Sequence, residues 1–160
     1  MALSAKLRRA PLRMTTGAFI LNSGFSKFGA DDDTSKRLHG MAAGSIPLVE
    51  RIEPRVFART LAVGEIALGG ALLLPIVPSA VAGAGLAAFA GSLLTMWWRT
   101  PGMHHEGVPR PTQQGTPIAK DVWMLGAGAS LIVDALTSRA HVKKVEIATK
   151  LHERHPAKAG

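Results

Sequence analysis

The chain of 160 residues contains no cysteine. This absence excludes disulfides, thiolate ligands for a metal, iron–sulfur clusters and persulfide chemistry on the chain itself. The long apolar stretches contain no histidine, so helices built from them supply no histidine ligand to a haem, which argues against an internal haem. A glycine-rich loop between a strand and a helix is also missing, and the serines have no neighbouring base. These absences argue against a stand-alone enzyme.

Charge is scarce in four apolar stretches, which are Met14–Phe28, Leu61–Val77, Ala80–Trp98 and Val122–Leu136. A helix that crosses a bilayer needs roughly 20 apolar residues, and the tryptophans that end the third stretch favour the membrane interface. The first stretch would span only about 22 Å, so its helix is expected to extend upstream into Ala10–Arg13. The sequence therefore predicts an all-α protein, a membrane-embedded bundle of four transmembrane helices in one domain.

The net charge of +8 is concentrated at the two ends of the chain. Lys and Arg beside a span retain their segment on the cytoplasmic side, so both termini are predicted to be cytoplasmic. The loops Gly29–Arg59 and Thr100–Asp121 are then outside. The predicted organisation is a basic N-terminal tail (1–12), a membrane domain (13–137) and a basic cytoplasmic tail (138–160). Because no nucleic-acid-binding motif accompanies the charge, the lipid bilayer, and not nucleic acid, is the predicted partner.

Glu65 is a carboxylate about five residues inside the second apolar stretch. Such a group is costly in a membrane unless it is paired or neutral. Lys27, at the outer end of the first stretch, lies at a similar depth, so the two side chains are predicted to pair. Two interpretations remain open: a polar intramembrane site for a proton, a quinone head group or a partner's ligand, and a structural ion pair between two helices. The residues expected to contribute at the same rim are Arg59, Lys120, Asp121 and His104.

Histidines in the two outer loops give a weak signal for a metal. His104, His105 and Glu106 follow the third stretch, and His39 lies in the other outer loop. Adjacent histidines on a regular helix cannot both bind one metal comfortably, so no metal site is predicted.

Small residues recur at intervals of four in the third and fourth stretches. Such faces let helix backbones approach closely in lipid, so they are predicted to be packing surfaces. Asp134, at the inner end of the fourth stretch, is expected to be an interfacial carboxylate near Arg139. The two faces are Gly83, Ala87 and Gly91 on the third helix, and Gly126, Ser130 and Asp134 on the fourth.

The order of several motifs along the chain carries a family resemblance. The matching residues are Gly17, Phe19, Gly24 and Lys27 in the first stretch, Gly44–Pro47 as a glycine-x-proline stop, Gly64–Leu73 as a glutamate followed by a double glycine and leucines, His104 or His105, and Ala119–Trp123. From about Arg13 to Asp134, this arrangement resembles the DoxX family of small bacterial membrane proteins. The chain departs from the family pattern in its long loop Thr100–Ala119 and in its basic tail.

The resemblance implies a four-helix, multi-pass protein of the bacterial plasma membrane. Members of the family are similar to subunits of membrane oxidoreductase assemblies, including the thiosulfate:quinone type, and others link thiol or oxidative-stress defence to the membrane. The implied function is a small, non-catalytic membrane subunit of a redox-linked assembly, with a quinone as the candidate cofactor and with protein partners. An oligomer of the chain is left open.

Two other functions fit the residues. A small proton-coupled carrier would use Glu65 as its proton site, and a plain membrane anchor would recruit a cytoplasmic partner through the basic tail.

Overall fold

The computed structural model describes residues 2–154, and its secondary structure is helical apart from one isolated β-bridge between His104 and Pro111. The all-α prediction is thus confirmed for this part of the chain. The last six residues of the predicted basic tail, 155–160, lie outside the described residues. The helices, in chain order, are α1 (Ala2–Phe28), α2 (Asp32–Ala43), a 3₁₀ helix (Pro47–Arg51), α3 (Pro54–Leu73), α4 (Ser79–Arg99), α5 (Thr116–Ala119) and α6 (Val122–Arg154).

The helix boundaries follow local sequence signals. Asp31 caps α2 by accepting a hydrogen bond from the backbone N–H of Thr34, at 2.8 Å. Pro54 occupies the first turn of α3, where a missing N–H costs nothing. Pro75 and Pro78 lie in the short connection between α3 and α4. Proline interrupts a helix, so the two helices do not join into one.

The two terminal helices are longer than the apolar stretches within them. α1 begins at Ala2, so it includes Ala10–Arg13 as expected and continues further upstream, through residues 2–12 of the predicted basic tail. α6 continues to Arg154 and passes through position 138 without a break. The domain boundaries predicted from charge therefore do not coincide with helix ends.

The four long helices pack as two close pairs, α1 with α3 and α4 with α6. The two pairs meet along α3 and α4, and along α1 and α6, with far fewer contacts. Ile20 of α1 and Leu72 of α3 belong to the same buried cluster as Leu86 of α4 and Leu131 of α6. The core is therefore continuous through the bundle, although its tightest seams lie within each pair.

Glycines permit the close approach within each pair. A Cβ atom added at Gly69 of α3 would lie 2.7 Å from the backbone nitrogen of Leu21 in α1. A Cβ atom added at Gly128 of α6 would lie 2.7 Å from the backbone nitrogen of Ala87 in α4, and one at Gly83 would lie 2.8 Å from the carbonyl oxygen of Gly128. These separations are too short for real carbon atoms, so a larger side chain would push the helices apart.

The small-residue prediction is right for part of α4 and wrong for α6. Gly83 and Ala87 lie in the α4–α6 seam, but Gly91 has no neighbour within 4 Å of an added Cβ. On α6 the seam runs through Gly128, and Gly126 has open space around it. Two residues along a helix correspond to a rotation of about 200°, so the face of Gly126 points away from the seam.

The structure describes two helices, α3 and α4, that are long and apolar enough to cross a membrane by length and composition. Only 28% and 22% of their most apolar windows are buried inside the molecule. Most of this apolar surface therefore faces outward instead of into a protein core.

Candidate functional site

Lys27 and Glu65 are in direct contact, as the depth argument from the sequence expects. Lys27 Nζ lies 2.9 Å from Glu65 Oε2. The carboxylate side chain is only 5% exposed, and the ammonium side chain is 21% exposed. Lys27 Nζ also donates a hydrogen bond to Ser23 Oγ, which lies one turn earlier on the same face of α1. The pair is thus a largely buried ion pair that joins α1 to α3.

Gly24 allows this ion pair to form. A Cβ atom added at Gly24 would lie 2.9 Å from the carbonyl oxygen of Ala62 and from the backbone nitrogen of Ile66, so the two backbones nearly touch here. Glu65 lies between Ala62 and Ile66 in sequence, and Lys27 is one turn beyond Gly24. The close approach therefore brings the lysine head within reach of the carboxylate.

Glu65 also borders an open cavity of about 430 Å³ between α3 and α4. The cavity walls are mostly apolar and include Phe57, Leu61 and Leu68 of α3 and Phe89 of α4. Within the described residues, the second carboxylate oxygen, Glu65 Oε1, has no hydrogen-bond partner, and it retains some accessible surface. A buried carboxylate with one free oxygen at the wall of an apolar cavity is suited to bind a lipophilic molecule with a polar head.

Asp121 is the one predicted rim residue whose charge environment includes the pair. It lies directly before α6 and is partly buried. Burial raises the pKa of Asp121 to about 6, and the positive charges of Lys120 and Lys27 oppose that rise. Lys27 therefore faces two carboxyl groups, Glu65 by direct contact and Asp121 through space.

The other predicted rim residues are not joined to the pair. Arg59 and Lys120 are exposed, and neither forms a hydrogen bond or an ion pair with Lys27 or Glu65 in the part of the chain described. His104 stacks on Trp98 with 4.5 Å between ring centroids, and His104 Nε2 lies 2.9 Å from the backbone carbonyl oxygen of Trp98. His104 thus holds the loop after α4 in place instead of contacting the ion pair.

The histidines considered for a metal are dispersed. His39 packs its ring edge-to-face against Phe57 and has Nε2 2.9 Å from the carbonyl oxygen of Val49. Between residues 2 and 154, no cluster of three or more His, Asp or Glu side chains is suited to hold a metal ion.

Arg13 is a buried polar residue whose contacts the sequence did not predict. Its guanidinium donates hydrogen bonds to the carbonyl oxygens of Leu72 at 2.7 Å, Ala71 at 2.9 Å, Leu74 at 2.8 Å and Val77 at 3.0 Å. These carbonyls belong to the last turn of α3 and to the connection to α4. No helical N–H group follows to donate hydrogen bonds to them. One signal was available: Arg13 falls on the same helical face as the buried α1 residues.

Asp134 pairs with different residues from the one expected. Arg8 and Arg9 of α1 both form ion pairs with its carboxylate, and Arg9 Nη2 also lies 3.0 Å from its backbone carbonyl oxygen. Arg139 is exposed and is not its partner in the described structure. The arginines before the first apolar stretch therefore tie the start of α1 to α6.

No family model matches the chain, and comparisons with curated proteins and with solved structures find no significant match.

Proposed function

We propose that this chain is a small integral membrane subunit of a redox-linked assembly, and that its Lys27–Glu65 site receives the polar head of a quinone-type molecule. The observation that carries the proposal is the free oxygen of a buried carboxylate at the wall of an apolar cavity. The DoxX resemblance supplies the redox context, and the geometry supplies the candidate binding site.

A four-span arrangement is part of this proposal. α3 and α4 have the length and composition of spans, and α1 and α6 pack against them closely enough to share their depth. All four helices carry apolar side chains that are more than half exposed, such as Phe19, Val63, Val81 and Val133. Large apolar side chains exposed on every face of a bundle are unfavourable in water and are matched by lipid.

The chemistry of the site fits a quinone or quinol head group. The free oxygen of Glu65 would accept a hydrogen bond from a quinol hydroxyl. Lys27 uses two of its three N–H donors on Ser23 and Glu65 and does not line the cavity, so its part is to hold the carboxylate in place and ionised. A cavity of about 430 Å³ lies within the usual range for small-molecule sites. The ring would lie against Phe57 and Phe89, and the isoprenoid tail would continue into lipid.

The residue types in the chain favour a subunit of an oxidoreductase over a complete enzyme. It has no thiol to oxidise, so electrons would pass between the bound quinone and a partner protein. The long loop 100–119 and the extended α6 are the segments available for such a partner.

A proton-coupled carrier is the second candidate. The observation in its favour is that Glu65 borders the space between two helix pairs that contact each other only sparsely. Two such bodies can move against each other, and a carboxylate between them can load and release a proton. The plain-anchor alternative would use α6 beyond the bundle as its docking element.

The test is purification in mild detergent, followed by solvent extraction of bound quinone and mass-spectrometric identification of companion chains. We expect wild-type protein to retain quinone and a companion polypeptide. Glu65→Leu should lower quinone occupancy at least about tenfold, the size expected for loss of a hydrogen bond to a charged group. Glu50→Gln, which removes an exposed carboxylate in the 3₁₀ helix, is the matched control and should retain quinone.

Quinone-free wild-type protein, or equal occupancy in Glu65→Leu, would contradict the quinone site. Glu65-dependent proton movement by wild-type protein in liposomes, without bound quinone, would instead favour the carrier. A companion chain that is lost on deletion of residues 140–160 while quinone is retained would assign the tail to partner binding.

A further inference from the structure

A second cavity, of about 880 Å³, lies at the opposite end of the bundle from the Lys27–Glu65 pair. It opens between the start of α1, the start of α4 and the part of α6 that continues beyond the bundle. Its basic lining side chains are Lys6, Arg8, Arg9, Arg139, His141 and Lys143. In the predicted topology this is the cytoplasmic edge of the membrane.

The basic side chains of this cavity are only partly neutralised. Among the side chains that the structure describes, Asp134 is the carboxylate that contacts them, and Arg8 and Arg9 already share it. Lys6, Arg139 and Lys143 are exposed and make no hydrogen bond or ion pair with any described residue. The cavity therefore has a positive excess and several free donors, which favour an anion.

Hydroxyl groups add neutral contacts at the same place. Ser138 Oγ accepts hydrogen bonds from Arg8 at 3.2 Å and from Arg9 at 2.9 Å, which orients both guanidinium groups along the cavity wall. Ser79 lies at the start of α4 and also lines the cavity. Guanidinium groups that are held in place lose less freedom when they bind an oxyanion.

An apolar cavity of about 340 Å³ adjoins the basic one. The two share Lys6, Arg9, Pro78 and Ser79, and the apolar part is lined by Met14, Leu73 and Ile76 among others. These three side chains are exposed, Ile76 by 83%. A phosphate group in the basic cavity would thus have a hydrocarbon surface directly beside it, on the side toward the bilayer interior.

We propose that the basic cavity binds the phosphate head group of an anionic phospholipid, and that an acyl chain of that lipid lies along Met14, Leu73 and Ile76. Anionic lipids are concentrated in the cytoplasmic leaflet, where basic pockets between helices recognise their head groups. The bound lipid bridges α1, α4 and α6, and so adds a contact between the two helix pairs beside the ion pairs of Arg8 and Arg9 with Asp134. The inference rests on the membrane location in the proposed function and is independent of the quinone site.

The test uses full-length protein in detergent, titrated with a fluorescent phosphatidylglycerol. Phosphatidylcholine and inorganic phosphate serve as competitors. The test variant is Lys6→Gln/Arg139→Gln/Lys143→Gln, whose three side chains are exposed and make no hydrogen bond or ion pair with a described residue. The control, Lys36→Gln/Arg51→Gln/Arg110→Gln, removes the same charge from exposed positions on the other side of the molecule.

We expect wild-type and control proteins to bind phosphatidylglycerol well above phosphatidylcholine. The test variant should bind it roughly 100-fold more weakly, because each basic residue near a membrane surface contributes about fivefold. Ile76→Gln should weaken lipid binding without changing any charge.

Equal binding of the two lipids, or an equal loss in the test and control variants, would overturn the site. Efficient competition by millimolar inorganic phosphate would overturn the lipid and leave a free-phosphate site. If the triple variant does not fold, phosphatidylglycerol binding by Lys143→Gln is compared with binding by the wild-type protein, and an unchanged affinity would overturn the site.

Discussion

At the scale of single residues, the molecule places its charges by pairing them across helices. Lys27 with Glu65 joins α1 to α3, and Arg8 and Arg9 with Asp134 join α1 to α6. Arg13 satisfies backbone carbonyls instead of a carboxylate. A charge removed from water is tolerated only with such partners, so each of these contacts should be sensitive to loss of one member.

Lys27 and Glu65 should be energetically coupled. Lys27→Met leaves a carboxylate that is only 5% exposed without its cation, which costs roughly 3–5 kcal/mol at most. Glu65→Gln should cost less, because the amide oxygen still accepts a hydrogen bond from the ammonium. The double variant should be less destabilised than the sum of the two single variants. Unfolding free energies of all four proteins in detergent measure the coupling, and strict additivity would show that the residues do not interact.

Asp121 should make stability depend on pH. Burial raises its folded-state pKa to about 6, above the value of 3.8 in an unfolded chain. The protonated form is therefore favoured by folding, and its contribution is fully present below about pH 4 and lost as pH rises through 6. Asp121→Asn, which mimics the neutral form, should be more stable than wild type at pH 8 and equal to it near pH 4. Melting temperatures across this range test the sign, and an advantage that grows toward acid pH would refute it.

At the scale of elements, the helix seams depend on which glycine faces which backbone. Gly83 and Gly128 allow α4 and α6 to approach within van der Waals distance of each other's main chain. Gly17, Gly24 and Gly69 serve the α1–α3 seam in the same way. In lipid, where no hydrophobic force drives helices together, such close packing is a main source of association.

Gly128 and Gly126 form a matched pair for testing this packing. Gly128→Ala places a Cβ 2.7 Å from a backbone nitrogen of α4 and should destabilise the protein by about 1–3 kcal/mol. Gly126→Ala meets nothing within 4 Å and should be neutral or slightly stabilising, because alanine favours a helix more than glycine does. Thermal unfolding in detergent distinguishes the two variants. Equal effects would mean that the seam does not run through Gly128.

At the scale of the whole molecule, two helix pairs share one core but contact each other loosely between α3 and α4. The apolar cavity beside Glu65 occupies this opening, and the basic cavity occupies the far end of the bundle. Each cavity is lined by residues from both helix pairs, so the two candidate binding regions lie between the pairs and not within either one.

The proposed orientation can be tested directly because the chain has no native cysteine. A cysteine at Gln113 should react with an impermeant maleimide added to intact cells, since the loop 100–119 is predicted to be external. A cysteine at Lys144, on the exposed extension of α6, should react only after the membrane is opened. The reverse labelling pattern, or external labelling at both positions, would rule out four spans with cytoplasmic termini.

The sequence by itself determined the helical character of the chain, the apolar stretches and the meeting of Lys27 with Glu65. These properties depend on local composition and on depth along a helix, which spacing within the chain specifies. Depth along a helix does not predict which side of that helix a residue occupies, because this depends on rotation about the helix axis. The seam on α6 was therefore assigned to Gly126 instead of Gly128, and Asp134 to Arg139 instead of Arg8 and Arg9. The tertiary structure decided those contacts, the role of Arg13 and the position of both cavities, because each depends on which helix faces which and how closely their backbones approach.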